Sequence, residues 1–271
     1  MPELPEVETT RRGIAPALEG ATLTAVVVRE RRLRWALPAG FESAVRGQHI
    51  QHVGRRAKYL LFTGQGGTLL AHLGMSGSFR VLPPGTPLLA HDHVDFLTDR
   101  GQLLRFNDPR RFGSLHWVTG AVAEHPLLRH LGPEPLSAAF TTEWLWNASR
   151  SRRIGVKPFL MNQTVVVGVG NIYASEALFR AGISPTRAAC RVKRLEMARL
   201  VDCIREVLTE AIEVGGTTLR DYVNTEGKPG YFRQQLFVYE RAGEPCRRCS
   251  AVVRQCVQAQ RSTYWCPHCQ R

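Results

Sequence analysis

Branched and aromatic residues are concentrated in short runs in the first half of the chain. The run "TLTAVVV" is rich in β-branched residues, and "KYLLFTGQGGTLLAHL" has two apolar runs around a glycine-rich turn. The stretch "VDFLTDRGQLLRF" repeats that form. Short apolar runs separated by turn residues predict antiparallel strands. We therefore predict an antiparallel β domain over residues 1–134.

A single short helix is predicted in front of these strands, over residues 3–14. Pro5 is tolerated there because it falls in the first turn. Acidic residues lie near the positive N-terminal end of this helix, and Arg11 and Arg12 lie near its negative end.

The apolar period changes from strand-like to helical after "HLGPEPLS" (130–137), whose prolines and glycine mark a boundary. One face of the helix that this period predicts carries only apolar side chains: Met197, Leu200, Val201, Ile204, Val207, Leu208, Ala211 and Ile212. Gly215 and Gly216 should end that helix. Residues 135–240 are therefore predicted to form a helical domain, and the fold class is α+β with several domains.

Four of the seven cysteines have the spacing of a zinc site. The pattern Cys246-x2-Cys249-x16-Cys266-x2-Cys269 gives two metal knuckles joined by a hairpin-length spacer. Four thiolates close the coordination shell, so we expect one structural Zn²⁺ in a domain of residues 241–271. His268 is the alternative fourth ligand.

The other three cysteines, Cys190, Cys203 and Cys256, lack partner spacing, and we interpret them as small buried apolar residues. An odd number of cysteines argues against a disulfide scaffold and is typical of a reducing, cytoplasmic location. No run approaches the ~20 apolar residues of a membrane span. The acidic start does not resemble a signal peptide.

The net charge of the chain predicts a polyanionic partner. Lysine and arginine total 36 against 23 for aspartate and glutamate, a net charge of +13. Nucleic acid is the first candidate partner and an anionic membrane surface the second. A solvated basic surface is the plainer alternative, but clustering of the arginines favours nucleic acid.

The first residues, "MPELPEVETTRRG", combine prolines and acids directly behind the initiator methionine. Pro2 and Glu3 make sense at this position if the end of the chain is itself a reactive group. The alternatives are that Pro2 only limits N-terminal processing and that Glu3 only stabilises a helix terminus.

Five stretches and the cysteine hairpin, in this order, resemble the bacterial formamidopyrimidine-DNA glycosylase family. The stretches are "PELPEVE", "RRAKYLL", "HLGMSGS", "DPRRFG" and "VGVGNIYASEALF". The resemblance implies an N-terminal β-sandwich, a helix–two-turn–helix domain and a zinc finger. It also implies excision of oxidised purines, 8-oxoguanine and formamidopyrimidines, from duplex DNA and β,δ-elimination at the abasic site.

The resemblance assigns the catalytic residues. After removal of Met1, Pro2 would be the nucleophile that forms a Schiff base, because an α-amino group is far more often neutral at pH 7 than a lysine. Glu3 would be the acid/base, Lys58 the proton donor for β-elimination and Arg261 the donor for δ-elimination. From the residues alone, Lys58 would be only a strand cation.

The same resemblance assigns the DNA contacts. Met75, Arg110 and Phe112 would fill the gap left by a flipped base, with core packing as the alternative for Met75 and Phe112. Arg110 would read the opposite cytosine, with Arg111 as the competing candidate. The further contacts would be His91, Arg153, Lys157 and Asn171, the last at a helix start suited to phosphate.

Some interpretations stay open in the sequence. The pair His91-x-His93 also suggests a metal, but no third ligand follows at a suitable spacing. The polar stretch 217–232 matches the family segment that closes over the extruded base, and Arg220 replaces a lysine of some relatives.

The rival functions are an endonuclease VIII-type enzyme for oxidised pyrimidines and a catalytically silent damage sensor. We expect a monomer that acts on duplex DNA and not on membranes.

Overall fold

The computed structural model describes residues 1–216 and 235–271, which form two compact units. The first contains residues 1–129 and 214–216, and the second contains residues 130–213 and 235–271. The predicted stretch 217–232, with Arg220, lies outside the described residues. The division into domains 1–134, 135–240 and 241–271 stays a prediction.

The first unit begins with helix α1, Leu4–Leu18, which is longer than the predicted 3–14. Ile14 and Leu18 are buried in the core of this unit, and their burial extends the helix past Pro16. The strands follow, joined at one point by the short helix α2, Phe41–Val45. They are β1 (Leu23–Val28), β2 (Ile50–Arg56), β3 (Tyr59–Gly64), β4 (Thr68–His72), β5 (Ser78–Leu82), β6 (Asp92–Thr98), β7 (Leu103–Asn107) and β8 (Ser114–Val118).

These strands form two four-stranded antiparallel sheets, in the orders β1-β6-β7-β5 and β2-β3-β4-β8. The predicted pairs β3–β4 and β6–β7 are confirmed as antiparallel neighbours. Phe62 of one sheet meets Phe79 of the other at 5.7 Å between ring centroids, and Phe79 meets Phe106 at 5.0 Å. The apolar core therefore lies between the sheets, as in the predicted β-sandwich.

In its described residues the second unit contains four α-helices and a hairpin: α3 (Thr142–Ser149), α4 (Val156–Leu160), α5 (Asn171–Ala181), α6 (Arg194–Glu213), β9 (Arg254–Gln258) and β10 (Arg261–Trp265). A short 3₁₀ helix, Ala189–Arg191, lies between α5 and α6. The predicted apolar face of α6 is confirmed, since all eight of its residues are buried. The helix ends at Glu213, before Gly215 and Gly216. Helix α5 packs against α6 and β10. Within the described residues, no helix is long and apolar enough to cross a membrane.

Candidate active site and nucleic-acid interface

The start of α1 is a buried and tightly bonded chain end. Pro2 is buried, and Glu3 exposes only 3% of its surface. Glu3 is the residue before the helix and forms a reciprocal capping box with Glu6, whose Oε2 accepts the Glu3 N–H at 2.8 Å. Met1 precedes Pro2, so the Pro2 nitrogen is an amide until Met1 is removed. Removal would turn that nitrogen into a secondary amine next to a buried carboxyl group.

Glu8 ties this helix to the turn between β2 and β3. Its carboxylate accepts hydrogen bonds from Arg11 at 2.8 Å, from Arg12 at 3.0 Å and from Arg55 at 3.2 Å. Arg55 also donates to the carbonyl oxygen of Ala57 in that turn, at 2.8 Å. Burial raises the pKa of Glu8, but the hydrogen bonds from Arg11 and Arg12 outweigh it and hold the pKa below its usual value. The carboxylate therefore stays charged at neutral pH.

Lys58 lies in the same two-residue turn and is 4% exposed. Ala57 before it has φ 54°, the left-handed conformation that such tight hairpins require. The ammonium of Lys58 lies near enough to His72 to affect its titration. The pKa of His72 falls to about 4 because of burial first and the charges of Lys58 and Arg34 second. His72 is therefore neutral, and its Nδ1 accepts the N–H of Gly74 at 3.0 Å.

Two loops of the sandwich present the residues expected to enter DNA. Phe112 is 44% exposed, Arg110 is exposed and Met75 is half-buried. The guanidinium of Arg110 lies 5.0 Å from the centre of the Phe112 ring. Arg111 instead donates to Glu30 at 3.3 Å. Hydrogen bonds from Arg32 hold the pKa of Glu30 at about 2, so this carboxylate is charged and engages Arg111.

His91, just before β6, and His93, near the start of β6, differ in environment. His91 is exposed and adopts φ 69°, whereas His93 is buried with its Nε2 2.8 Å from the carbonyl oxygen of Asp108. Among residues 1–216 and 235–271, the only group of three or more potential metal ligands is the cysteine quartet. The metal alternative for the histidine pair therefore has no support.

In the second unit, Asn171 is the first residue of α5, as predicted. Its Oδ1 is buried and has no hydrogen-bond partner among the described residues. The first turn of α5 therefore holds a buried amide oxygen whose bonding the described residues do not satisfy. Arg153 is exposed in the loop before α4.

Lys157 differs from the expectation of a direct DNA contact. It is 1% exposed, and its Nζ donates to the carbonyl oxygen of Ser262 at 2.7 Å and to Thr263 Oγ1 at 2.9 Å. A buried ammonium with two hairpin acceptors is not presented at a surface. Sequence pattern could not show this burial, because it depends on bonds to residues of β10 that are far along the chain.

Arg261 lies at the turn of this hairpin, as predicted. Ala259 and Gln260 form the two-residue turn, both with positive φ (46° and 61°), and Arg261 is exposed at the start of β10. Arg261 and Lys157 both line a cavity of about 180 Å³ beside the turn. Lys157 therefore anchors the hairpin that presents Arg261.

The four predicted zinc ligands converge. The sulfurs of Cys246, Cys249, Cys266 and Cys269 lie within 4.8 Å of one another. The Cys246–Cys269 and Cys249–Cys266 separations are 3.9 and 3.4 Å. Zn–S bonds of ~2.3 Å in a tetrahedron require sulfurs about 3.8 Å apart, so the quartet fits one zinc ion with a closed shell. It does not include the exposed His268.

The burial predicted for the remaining three cysteines is confirmed for only one of them. Cys203 is buried, while Cys190 and Cys256 are half-buried. None of the three belongs to the cluster of ligands.

Three parts of the chain match known domains. Residues 1–115 match the formamidopyrimidine-DNA glycosylase N-terminal domain, residues 131–223 match the formamidopyrimidine-DNA glycosylase H2TH domain, and residues 243–271 match the zinc finger found in FPG and IleRS. A formamidopyrimidine-DNA glycosylase of Alkalilimnicola ehrlichii is 58% identical over the full length of both chains. The chain belongs to the formamidopyrimidine-DNA glycosylase family.

Solved structures of this family have the same fold. MutM (FPG) of Thermus thermophilus is 44% identical with a TM-score of 0.88, covering 99% of this chain and 98% of its own. A point mutant of Lactococcus lactis FPG, in complex with DNA containing Fapy-dG, is 33% identical with a TM-score of 0.92, and all of both chains is covered. The expected family fold is therefore confirmed: N-terminal antiparallel sheets, a helical H2TH domain and a zinc finger.

Sequence reasoning missed one buried anchor in the glycosylase fold. Glu176, in the middle of "NIYASEALF", is 1% exposed. It accepts the backbone N–H groups of Phe237, Val238 and Tyr239 at 2.8, 3.0 and 2.9 Å. Burial raises its pKa despite these donors. The signal in the sequence was an acidic residue among the apolar positions of a predicted helix. Such a residue is expected to be buried, and a buried acid requires hydrogen-bond partners.

The first prediction concerns His72, whose folded pKa of about 4 lies below the ~6.5 of an unfolded histidine. Between pH ~6.5 and ~4 the unfolded chain binds more protons at His72 than the folded chain does. The free energy of unfolding is therefore not reduced by this group above pH ~6.5 and falls as the pH is lowered toward 4. His72→Asn keeps an acceptor for Gly74 and removes the titration. The melting temperature of the variant should depend less steeply on pH between 6.5 and 4. Equal slopes for the two proteins would show that His72 is not the titrating group.

The second prediction concerns the metal. Cys249→Ser should lose zinc, because a hydroxyl replaces one of four thiolates, and should lose DNA affinity with it. Cys256→Ser is the matched control on the same hairpin and should keep one zinc per chain. Metal analysis and DNA titration of both variants check this. Full zinc content in Cys249→Ser would contradict the assignment.

Proposed function

We propose that this protein removes oxidised purines from duplex DNA and cleaves the resulting abasic site by β,δ-elimination. Support comes from the ligands of similar proteins, which were solved with DNA containing Fapy-dG, carbocyclic 8-oxo-G or an abasic site. Duplex DNA is the expected partner of a chain with a net charge of +13. We further propose that it acts as a cytoplasmic monomer on chromosomal DNA.

The observation that carries this proposal is the buried chain end at Pro2 and Glu3. Once Met1 is removed, the amine of Pro2 attacks C1′ of the damaged nucleotide, and the bond from C1′ to the base breaks. Glu3 supplies a proton to the sugar oxygen or to the departing base. Opening of the sugar leaves a cationic iminium on the proline nitrogen, because a secondary amine has no second N–H to lose.

Strand cleavage follows from the iminium, which acidifies the C2′ proton. Loss of that proton expels the 3′ phosphate, and a second elimination expels the 5′ phosphate. Lys58 serves the first step and Arg261 the second. The four thiolates would leave a bound zinc ion no open coordination position, so the metal would hold the hairpin of Arg261.

Access to the base requires flipping it out of the helix. Met75 and Phe112 would wedge apolar surface into the gap, which their position at loop tips supports. Arg110 would meet the opposite base, because Arg111 is engaged by Glu30. The remaining contacts hold the DNA backbone: His91 and Arg153 at the surface and Asn171 at the start of α5.

The third prediction tests the function itself. Intact mass spectrometry should show a chain that starts at Pro2, and borohydride should trap a covalent complex with 8-oxoguanine duplex. Pro2→Gly should trap poorly. Preference for a duplex with an oxidised pyrimidine would favour the endonuclease VIII-type rival. Binding with no trapping on any substrate would favour the silent sensor.

The fourth prediction separates base removal from strand cleavage. Glu3→Gln should block excision of 8-oxoguanine, since it removes the proton source, and should retain part of the cleavage at a pre-formed abasic site. Glu19→Gln, at the C-terminal end of the same helix, is the control and should keep both activities. Equal losses on both substrates in Glu3→Gln would make Glu3 structural.

The fifth prediction concerns the opposite base. Cytosine offers two adjacent acceptors to the donor fork of Arg110, whereas adenine offers an acceptor beside a donor. Such a pair discriminates by roughly 1–3 kcal/mol, or about 5- to 150-fold. Single-turnover excision opposite cytosine and adenine should show this preference in the wild type and in Arg111→Ala but not in Arg110→Ala. Loss only in Arg111→Ala would move the role to that residue.

A further inference from the structure

A buried carboxylate joins the two loops that carry the candidate gap-filling residues. Asp108 is fully buried, with 0% exposure. Its Oδ1 accepts the hydroxyl hydrogen of Ser76 at 2.8 Å, and its Oδ2 accepts the N–H of Gly113 at 2.7 Å. Ser76 directly follows Met75, and Gly113 directly follows Phe112. One side chain therefore bonds the neighbour of each wedge residue.

The hydroxyl of Ser76 extends this link to Arg110. It accepts the backbone N–H of Arg110 at 3.1 Å while it donates to Asp108. The N–H of Arg111 is bonded to the carbonyl oxygen of Asp108 at 3.1 Å, which closes the turn. The backbone of the arginine that should meet the opposite base is thus held from both sides of the turn.

The loops also touch along their backbones, so neither can move closer to the other. A Cβ at Gly74, which has φ 66°, would lie 2.3 Å from the carbonyl carbon of Phe112. A Cβ at Gly113 would lie 2.9 Å from both the carbonyl oxygen of His72 and Oδ2 of Asp108. Contacts this close leave no room for a side chain between the loops.

A third branch of bonds leaves from the backbone of Asp108. Its N–H donates to the carbonyl oxygen of His91 at 3.1 Å, and its carbonyl oxygen lies 2.8 Å from Nε2 of His93. The exposed His91, in its left-handed conformation, is therefore fixed to the same centre. The backbones of His91 and Arg110, and the residues next to Met75 and Phe112, are thus linked by short hydrogen bonds to Asp108 or, through Ser76, to it.

We propose that Asp108, acting through Ser76, is a positioning residue that holds Met75, Arg110 and Phe112 as one rigid group. The inference rests on the proposed function, in which these side chains enter the DNA. A wedge and a base-reading guanidinium must reach the stack in a fixed relation, and small displacements cost large factors in rate.

The test uses three single variants of the full-length protein. Ser76→Ala removes the hydroxyl that bonds one loop to Asp108 and to the Arg110 N–H, and Asp108→Asn replaces one acceptor oxygen by a donor. Asp95→Asn is the control: Asp95 is 3% exposed in the same unit, and its carboxylate bonds Arg105 and Arg29 instead of these loops. Three quantities are measured: the melting temperature, single-turnover excision of 8-oxoguanine opposite cytosine and opposite adenine, and cleavage of an abasic site in single-stranded DNA.

Ser76→Ala and Asp108→Asn should lose on the order of 10- to 100-fold in duplex excision opposite cytosine. Their ratio of cytosine to adenine rates should fall toward one. Cleavage in single-stranded DNA should persist, because no base leaves a stack there. Asp95→Asn should keep the wild-type ratio of cytosine to adenine rates, even if its melting temperature falls as much as that of the two loop variants.

Unchanged ratios in both loop variants, or an equal change in Asp95→Asn, would overturn the positioning role and leave the proposed function intact. A wild-type protein that is inactive on every damaged substrate would overturn the proposed function and this inference together.

Discussion

The chemistry proposed for this chain depends on an ordered, buried chain terminus, which is an unusual demand because chain ends ordinarily fray. Helix α1 meets it with the reciprocal bonds between Glu3 and Glu6. Glu8 then fixes the helix to the turn of Lys58 through Arg55. A flexible terminus would lose the positioning that makes an amine effective as a nucleophile. The bonds of α1 therefore support every later step of the account.

The proposed function makes a second demand, on the β-sandwich, which would have to present apolar side chains to DNA without burying them. Aliphatic side chains and phenylalanines fill the space between its sheets, so the loops at its edge rest on a stiff base. Phe112 is 44% exposed, while the next residue, Gly113, donates its N–H to the buried Asp108. Rigid scaffolds with functional loops are a general solution to this conflict.

Much of this arrangement could be predicted from local patterns. The apolar face ending at Ile212, the helix start at Asn171 and the cysteine spacing each depend on nearby residues, and all are confirmed. Lys157 could not be placed, because its burial arises from a hairpin whose two acceptors lie 105 and 106 residues further along the chain. The role of Asp108 as a shared centre depends in the same way on three separate segments meeting in space.

The nature of the nucleophile is the central claim, and Lys58 is the buried amine that could replace Pro2 in it. The direct measurement is peptide mapping by tandem mass spectrometry of the borohydride-trapped complex, after digestion of both protein and DNA. The account predicts a deoxyribose remnant on the nitrogen of an N-terminal Pro2. A remnant on the side-chain nitrogen of Lys58, or a trapped peptide that still begins with Met1, would contradict it.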